Sequence, residues 1–207
     1  MSYQITSQPA TEPITTAEAK SHLRVTFSDD DTYIDTLISA ARKICEQYTN
    51  RAFITQTWRQ NEDSFNTWNT RLNTSRIYGA RIDLKINPVV SVTSVKYYDS
   101  SNVQQTLASA NYQLDNLGDT AALFEGLTAG FPSISSAKVN PIEIIFVAGY
   151  GAAGDVPSDI KHAIKLMISH FYENREGVNV GVALVQQIEM PKVVKALLTP
   201  YRINVFG

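Results

Sequence analysis

Residues 28–58 read SDDDTYIDTLISAARKICEQYTNRAFITQTW, and the change of period inside this stretch decides the fold. Asp29, Asp30 and Asp31 follow Ser28 and favour a helix N-terminus, where unpaired backbone amides attract negative charge. Ile34, Leu37, Ile38, Ala41, Ile44, Cys45 and Tyr48 then recur at steps of three and four, which places them on one apolar stripe of an α-helix. Arg42, Lys43 and Glu46 fall on other faces, and Thr49, Asn50 and Arg51 end the helix. From Phe53 the spacing shortens to an alternation, as in Ile54-Thr55-Gln56-Thr57-Trp58, which is the period of a strand.

Upstream, Thr15-Thr16-Ala17-Glu18 fits a capping box and predicts a short helix to about Leu23, preceded by a loose leader over residues 1–13. Downstream, strands are predicted at Ile82 to Ile86, Val90 to Tyr97, Val103 to Leu107 after a turn at Asp99 to Asn102, Tyr112 to Asp115, Ala121 to Phe124, and Ile142 to Val147. The polar run Asn66 to Ser75 reads as an exposed excursion. Helical spacing resumes at Pro157, with Ile160, Ala163, Ile164, Met167, Ile168 and Phe171 on one stripe and Gly177 as the stop. Val178 to Met190 is a connection of mixed character, and a last short helix spans Val193 to Leu198 before Pro200.

Each long amphipathic helix needs a partner, and the economical solution packs them on each other. The expected fold is therefore α+β: a discontinuous helical bundle from both chain ends, residues 14–52 and 155–207, with an inserted, β-rich and mostly antiparallel domain over residues 53–154.

Composition limits what such a chain does. The 207 residues carry 18 Lys+Arg against 20 Asp+Glu, a formal charge of -2, which excludes a strongly basic nucleic-acid binder held by phosphate contacts. The single cysteine, Cys45, cannot form an internal disulfide, so nothing requires an oxidising compartment. Met1 to Thr11 has neither the basic start nor the apolar run of an export signal. The longest apolar stretch, Ile142 to Ala148, contains Glu143 and falls far short of the ~20 residues of a membrane-spanning helix, so no membrane partner is expected.

The motif that most suggests chemistry is Gly149-Tyr150-Gly151-Ala152-Ala153-Gly154, a G-x-G-x-x-G after a strand. In a dinucleotide site the last glycine lies within the helix whose N-terminus holds the pyrophosphate, whereas here Asp155, Val156 and Pro157 intervene. No second parallel strand follows, so a flexible strand-to-helix turn is the better reading. His22, His162 and His170 share no metal-ligand spacing, and Ser169 beside His170 lacks the geometry of a nucleophile and its base. Cys45 lies in the apolar stripe, as a packing thiol does. Lys192, Lys195 and Arg202 form a modest cluster that reads as a solvated face. No catalytic residue, cofactor or metal is expected.

A capped short helix is followed by an acid-initiated helix that ends Tyr48-Thr49-Asn50-Arg51-Ala52-Phe53-Ile54-Thr55-Gln56-Thr57-Trp58, and then by Asn87-Pro88-Val89-Val90-Ser91-Val92-Thr93-Ser94-Val95-Lys96-Tyr97-Tyr98-Asp99. Phe146-Val147-Ala148-Gly149-Tyr150-Gly151, a helix from Val156-Pro157 to His170-Phe171-Tyr172-Glu173-Asn174-Arg175-Glu176, and Leu197-Leu198-Thr199-Pro200-Tyr201-Arg202 complete the order. From about Ile14 onward the chain resembles the head–tail connector proteins of tailed phages, in the longer branch where a β-rich segment separates the helices. The resemblance implies a non-enzymatic head-completion adaptor of the virion, made in the host bacterial cytoplasm. It implies a homo-oligomer, a dodecameric ring below the portal protein, with a tail-side head-closure or neck protein as a further partner. DNA would pass through the channel without sequence-specific binding.

A ring subunit presents two different patches to its neighbours, so exposed apolar segments are expected. Val178 to Met190 and the tail Ile203-Asn204-Val205-Phe206 are too hydrophobic for free loops and too short for cores of their own. The expected subunit or portal interface is Val178, Val180, Val182, Leu184, Val185, Tyr201, Arg202, Val205 and Phe206. For Val205 and Phe206 the alternative is that they cover the bundle. Two other readings stand beside the connector: another neck or tail module with a β domain, and, more distantly, a nucleotide-binding enzyme using Gly149 to Gly154.

Overall fold

The computed structural model describes residues 2–65, 80–126, 130–175 and 190–203. They form two compact units, one helical, from residues 11–54 and 150–203, and one of strands, from residues 2–10 and 55–149. The expected excursion at 66–75, the stop at Gly177 and nearly all of the connection at 178–190 lie outside the described residues.

Among the described residues four α-helices build the helical unit: α1 (Thr16–Leu23), α2 (Asp31–Thr49), α3 (Ser158–Glu173) and α4 (Lys192–Leu198). The capping box at α1 is complete, with Glu18 N donating to Thr15 Oγ1 at 3.2 Å and Thr15 N donating to Glu18 Oε2 at 2.9 Å. Ile34, Ile38, Ala41 and Cys45 of α2 share one buried cluster with Ile160, Ala163, Ile164, Met167 and Ile168 of α3 and with Val194 and Leu198 of α4. Both stripes therefore face the core that their spacing predicts.

Arg42 departs from its expected place on an outer face and is buried, 2% exposed. Its Nε donates to Glu12 Oε2 at 2.6 Å and its Nη1 to Glu46 Oε2 at 2.7 Å. Burial alone opposes the charge of Arg42, but the two carboxylates outweigh it and raise its pKa. Glu46 is held in turn by the strand-side exit of the helix, where Phe53 N donates to its Oε1 at 2.7 Å.

Phe53 and Ile54 also move relative to expectation. They lie in the helical core, and the first strand after α2 begins only at Gln56. α3 stops at Glu173, ahead of the expected Gly177: Asn174 leaves the helical conformation (φ -115°, ψ 57°), while its backbone N–H (3.2 Å) and its Nδ2 (2.7 Å) both go to the His170 carbonyl.

Among the described residues the strand unit has eight strands: β1 (Ser2–Ser7), β2 (Gln56–Glu62), β3 (Arg81–Asp83), β4 (Val89–Tyr98), β5 (Gln104–Thr106), β6 (Tyr112–Asp115), β7 (Ala122–Glu125) and β8 (Ile142–Ala148). One sheet has the order β1-β2-β8-β4-β5 and a smaller one β3-β7-β6, all pairs antiparallel. Along β8, Ile142, Ile144, Phe146 and Ala148 are buried while Glu143, Ile145 and Val147 are half-buried, the alternation of a sheet covered on one face. Gln60 is fully buried on β2, with its Nε2 donating to Asp83 O (2.8 Å) and to Glu62 Oε1 (2.7 Å) while its Oε1 accepts from Lys85 N (3.0 Å). Burial raises the pKa of Glu62 beside it.

The loose-leader reading of residues 1–13 is corrected here. Ser2–Ser7 is a strand paired with β2, from Ser2 opposite Asn61 to Ile5 opposite Trp58. The alternation of Tyr3 and Ile5 with polar neighbours was a legible strand signal. Farther along, Glu12 reaches Arg42, and Ile14 is buried in the helical core.

Candidate assembly surfaces

The glycine-rich turn closes on itself. Gly151 has φ 134°, a conformation open to glycine and rarely to other residues, and Asp155 Oδ2 accepts the Ala152 N–H at 2.8 Å. A Cβ at position 151 would collide with that same carboxylate oxygen. A carboxylate thus occupies the ground a phosphate would need, and Tyr150 and Ala153 pack on the helical core. The turn serves strand-to-helix geometry.

At the start of α2, Asp30 and Asp31 bind side chains of other elements. Asp30, at the N-cap, makes no side-chain capping bond. Its Oδ2 accepts from the Tyr172 hydroxyl at 2.5 Å and from Arg175 Nη2 at 2.7 Å, and the Arg175 guanidinium lies over the rings of Tyr33 (4.8 Å) and Tyr172 (4.7 Å). Asp31 pairs with Lys20 at 2.6 Å. The cluster holds the end of α3 where the chain leaves for residues 176–189, and α4 starts just after Met190, which packs on the core. Both ends of that apolar segment are therefore fastened to one unit.

The Tyr172 and Arg175 bonds hold the Asp30 carboxyl below its ordinary range. A depressed carboxylate contributes stability that is full above its unfolded pKa, about 3.9, and is lost as pH falls through its folded value. Asp30→Asn is expected to lower the melting temperature at neutral pH, with the gap from the parent closing below about pH 4. Melting curves across pH check this, and a gap constant down to acid would remove the ion pair from the account.

A second fastening lies at the end of α2. Asn50 takes the left-handed conformation (φ 55°), and its Nδ2 donates to Ile203 O at 3.0 Å, while Ile203 N donates to Thr49 O at 2.9 Å. Arg51 Nε donates to Tyr201 O at 2.6 Å. Arg202 is exposed and lies over the Tyr48 ring at 5.1 Å. Ile203 is buried against its own unit, so within the expected apolar tail this residue covers the bundle.

The chain matches the family model described as head completion protein over residues 12–204. The chain belongs to the head completion protein family. It is a structural subunit of the head–tail connector. Among solved structures, this head completion protein is similar to a chain in the neck of an empty gene transfer agent (GTA) particle computed with C6 symmetry. The TM-score is 0.74 and the identity 25%, covering 100% of this chain and 98% of that one. It is similar also to a chain in the virion of a native gene transfer agent particle, with TM-score 0.73 and 27% identity over 100% and 98% of the two chains. A chain in the neck of a native particle computed with C12 symmetry gives 0.62 and 26%, covering 98% of each. No curated protein sequence matches.

Of the expected interface residues, the structure brings Tyr201 and Arg202 together at the end of α2; Val178, Val180, Val182, Leu184, Val185, Val205 and Phe206 lie outside the described residues. Sequence reading missed the fastenings themselves. Asp30, Tyr172 and Arg175 carry no local signature, and Asn50, at a helix end, carried one in its tolerance of the left-handed conformation. His22 and His162 come together, ring centroids 6.3 Å apart, and among the described residues no group of three or more His, Cys, Asp or Glu could hold a metal. Burial, with Glu46 nearby, pushes the Cys45 thiol up to about 12.

Proposed function

We propose that this head completion protein assembles as a dodecameric ring below the portal protein, extends the DNA channel toward the tail, and docks a tail-side head-closure or neck protein. The observation that carries this reading is the end-to-end likeness to neck chains of particles computed with C6 and C12 symmetry. The chain is made in the host bacterial cytoplasm, works at the head–tail junction of the virion, and is no enzyme. Its formal charge of -2 suits a wall that DNA slides past, since a basic wall would hold phosphates.

In this reading Val178, Val180, Val182, Leu184 and Val185 form subunit or portal contacts from the segment fastened at Arg175 and Met190. Tyr201, Arg202, Val205 and Phe206 do so from the end fastened by Asn50 and Arg51. Native mass spectrometry of the protein alone and mixed with its portal protein tests the ring. A closed species near twelve copies, matching C12, is expected in the mixture at least. Monomer in both conditions would overturn the reading. Deleting residues 204–207, beyond the buried Ile203, is expected to leave the melting temperature unchanged and to weaken portal binding. Unchanged portal binding would remove the tail from the interface.

A further inference from the structure

The five-stranded sheet ends in two strands that nothing among the described residues covers. β1 pairs only with β2 and β5 only with β4. Open sheet edges are usually guarded by shortness, lysine, proline, charges pointing inward or a bulge, and of these β5, three residues long, has only shortness. β1 reads Ser-Tyr-Gln-Ile-Thr-Ser and β5 Gln-Gln-Thr, with no charge, proline or glycine in either. All three residues of β5 are exposed, as are all of β1 except the half-buried Ile5. The one irregularity in the β1 register falls after Ile5, so Ser2 to Ile5 form a regular, unguarded edge.

Strand sense decides what such edges can join. Every neighbouring pair in the sheet is antiparallel, so four steps from β1 through β2, β8 and β4 return to the same direction at β5. A second copy turned about an axis along the strands would set its β1 beside β5 of the first, both running the same way. The join uses two different edges and leaves a free β5 on the new copy, which is the heterologous, repeating contact that closes into a ring. Two β1 edges meeting about a two-fold axis would instead run antiparallel and stop at a dimer.

We propose that the edge of β1 in one copy docks on the edge of β5 in the next, so that backbone hydrogen bonds continue the sheet from subunit to subunit. The proposal rests on the ring reading and names the contact that makes the ring. Neck chains similar to this one end to end come from particles computed with C6 and C12 symmetry, which favours a second copy as the occupant. An unguarded edge that met no partner would be an aggregation hazard, so pairing in the assembly accounts for its composition.

Cysteine pairs read this geometry directly, because adjacent strands bring Cα atoms to about 5 Å, within the span of a disulfide. The register places Ser2 and Gln4 of β1 and Thr106 of β5 on one face of the sheet, through Asn61, Glu143 and Lys96. Ser2→Cys with Thr106→Cys, and Gln4→Cys with Thr106→Cys, therefore bracket two registers, and these positions are exposed enough to be replaced without loss of folding. The native Cys45 is buried and its thiol held protonated, so it stays silent. Each full-length variant would be assembled with the portal protein, oxidised mildly and run on a denaturing non-reducing gel, with native mass spectrometry before oxidation. The expected result is a ring by mass and a ladder of linked copies for at least one pair, while single variants stay monomeric on the gel. Rings without a ladder for either pair would overturn the edge contact and leave the ring standing. Covalent dimers from Gln4→Cys alone would overturn it in favour of a β1–β1 join. Absence of rings would overturn both readings.

Discussion

Ile38→Asp is expected to unfold the helical unit at room temperature. Ile38 is 2% exposed in the cluster formed by α2, α3 and α4, so the change removes a buried side chain worth about 1.5–3 kcal/mol. The carboxylate put in its place enters the cluster that holds Ile34, Ala41 and Ile164, and the buried cation one turn on, Arg42, is already taken by Glu12 and Glu46; a buried charge without a partner costs several kcal/mol more or takes up a proton. Together these approach the whole stability of a typical domain, about 5–15 kcal/mol. Circular dichroism should show a loss of helical signal, and the cooperative thermal transition should disappear. Ile38→Val, which removes one methylene group, is expected to cost only about 0.5–1.5 kcal/mol and serves as the control. If Ile38→Asp melts with the parent, the stripe read from the three- and four-residue spacing faces solvent, and the bundle is assigned to the wrong faces.

Arg42→Met is the second large effect. The substitution keeps an apolar stem of similar length and removes the cation between Glu12 and Glu46. Glu46, with its side chain 11% exposed, would be left facing an apolar group, while Glu12 at 31% keeps more water. Breaking a buried pair costs about 3–5 kcal/mol, and the partial hydration of Glu12 lowers this to about 2–4 kcal/mol here. Urea unfolding should show the midpoint falling with the slope unchanged. A double variant with Glu46→Gln separates charge from packing, since the amide oxygen can still accept the Phe53 N–H that Glu46 now takes. It is expected to recover part of the loss, a coupling that a double-mutant cycle measures. Equal stability of parent and Arg42→Met would mean that the two carboxylates contribute nothing to the fold.

The parts of the fold legible in the residues were those written in local periods. The stripes of α2 and α3, the capping box at Thr15 and the alternation along β8 are each complete within a short window, because a helix or strand places its side chains by its own geometry. Boundaries were less legible where a residue suits both contexts. Phe53 and Ile54 stand at the head of a strand-like alternation, yet the helical core takes them because it offers apolar surface at the point where α2 ends. Residues 2–7 read as a leader although Tyr3 and Ile5 alternate, since a single edge strand buries little and leaves a faint pattern.

The assembly surfaces were legible only in part, for a reason of the same kind. The apolar character of 178–190 and of the chain end could be read directly, and the order of blocks pointed to the connector family. The fastenings could not. The bond from Tyr172 to Asp30 joins residues 142 positions apart, and that from Arg51 to Tyr201 joins residues 150 apart. Asp29 to Asp31 look the same whether they cap a helix, as expected, or hold its neighbour, as Asp30 does. By itself the sequence determined the elements from α1 onward, their order, the buried face of each long helix and the family. Tertiary structure alone decided that Arg42 is buried between two carboxylates, that Ser2–Ser7 is the edge of a sheet, and which side chains fasten the apolar segments. Periodicity is a property of neighbours along the chain, whereas charge pairing and strand pairing depend on which distant residues packing brings together.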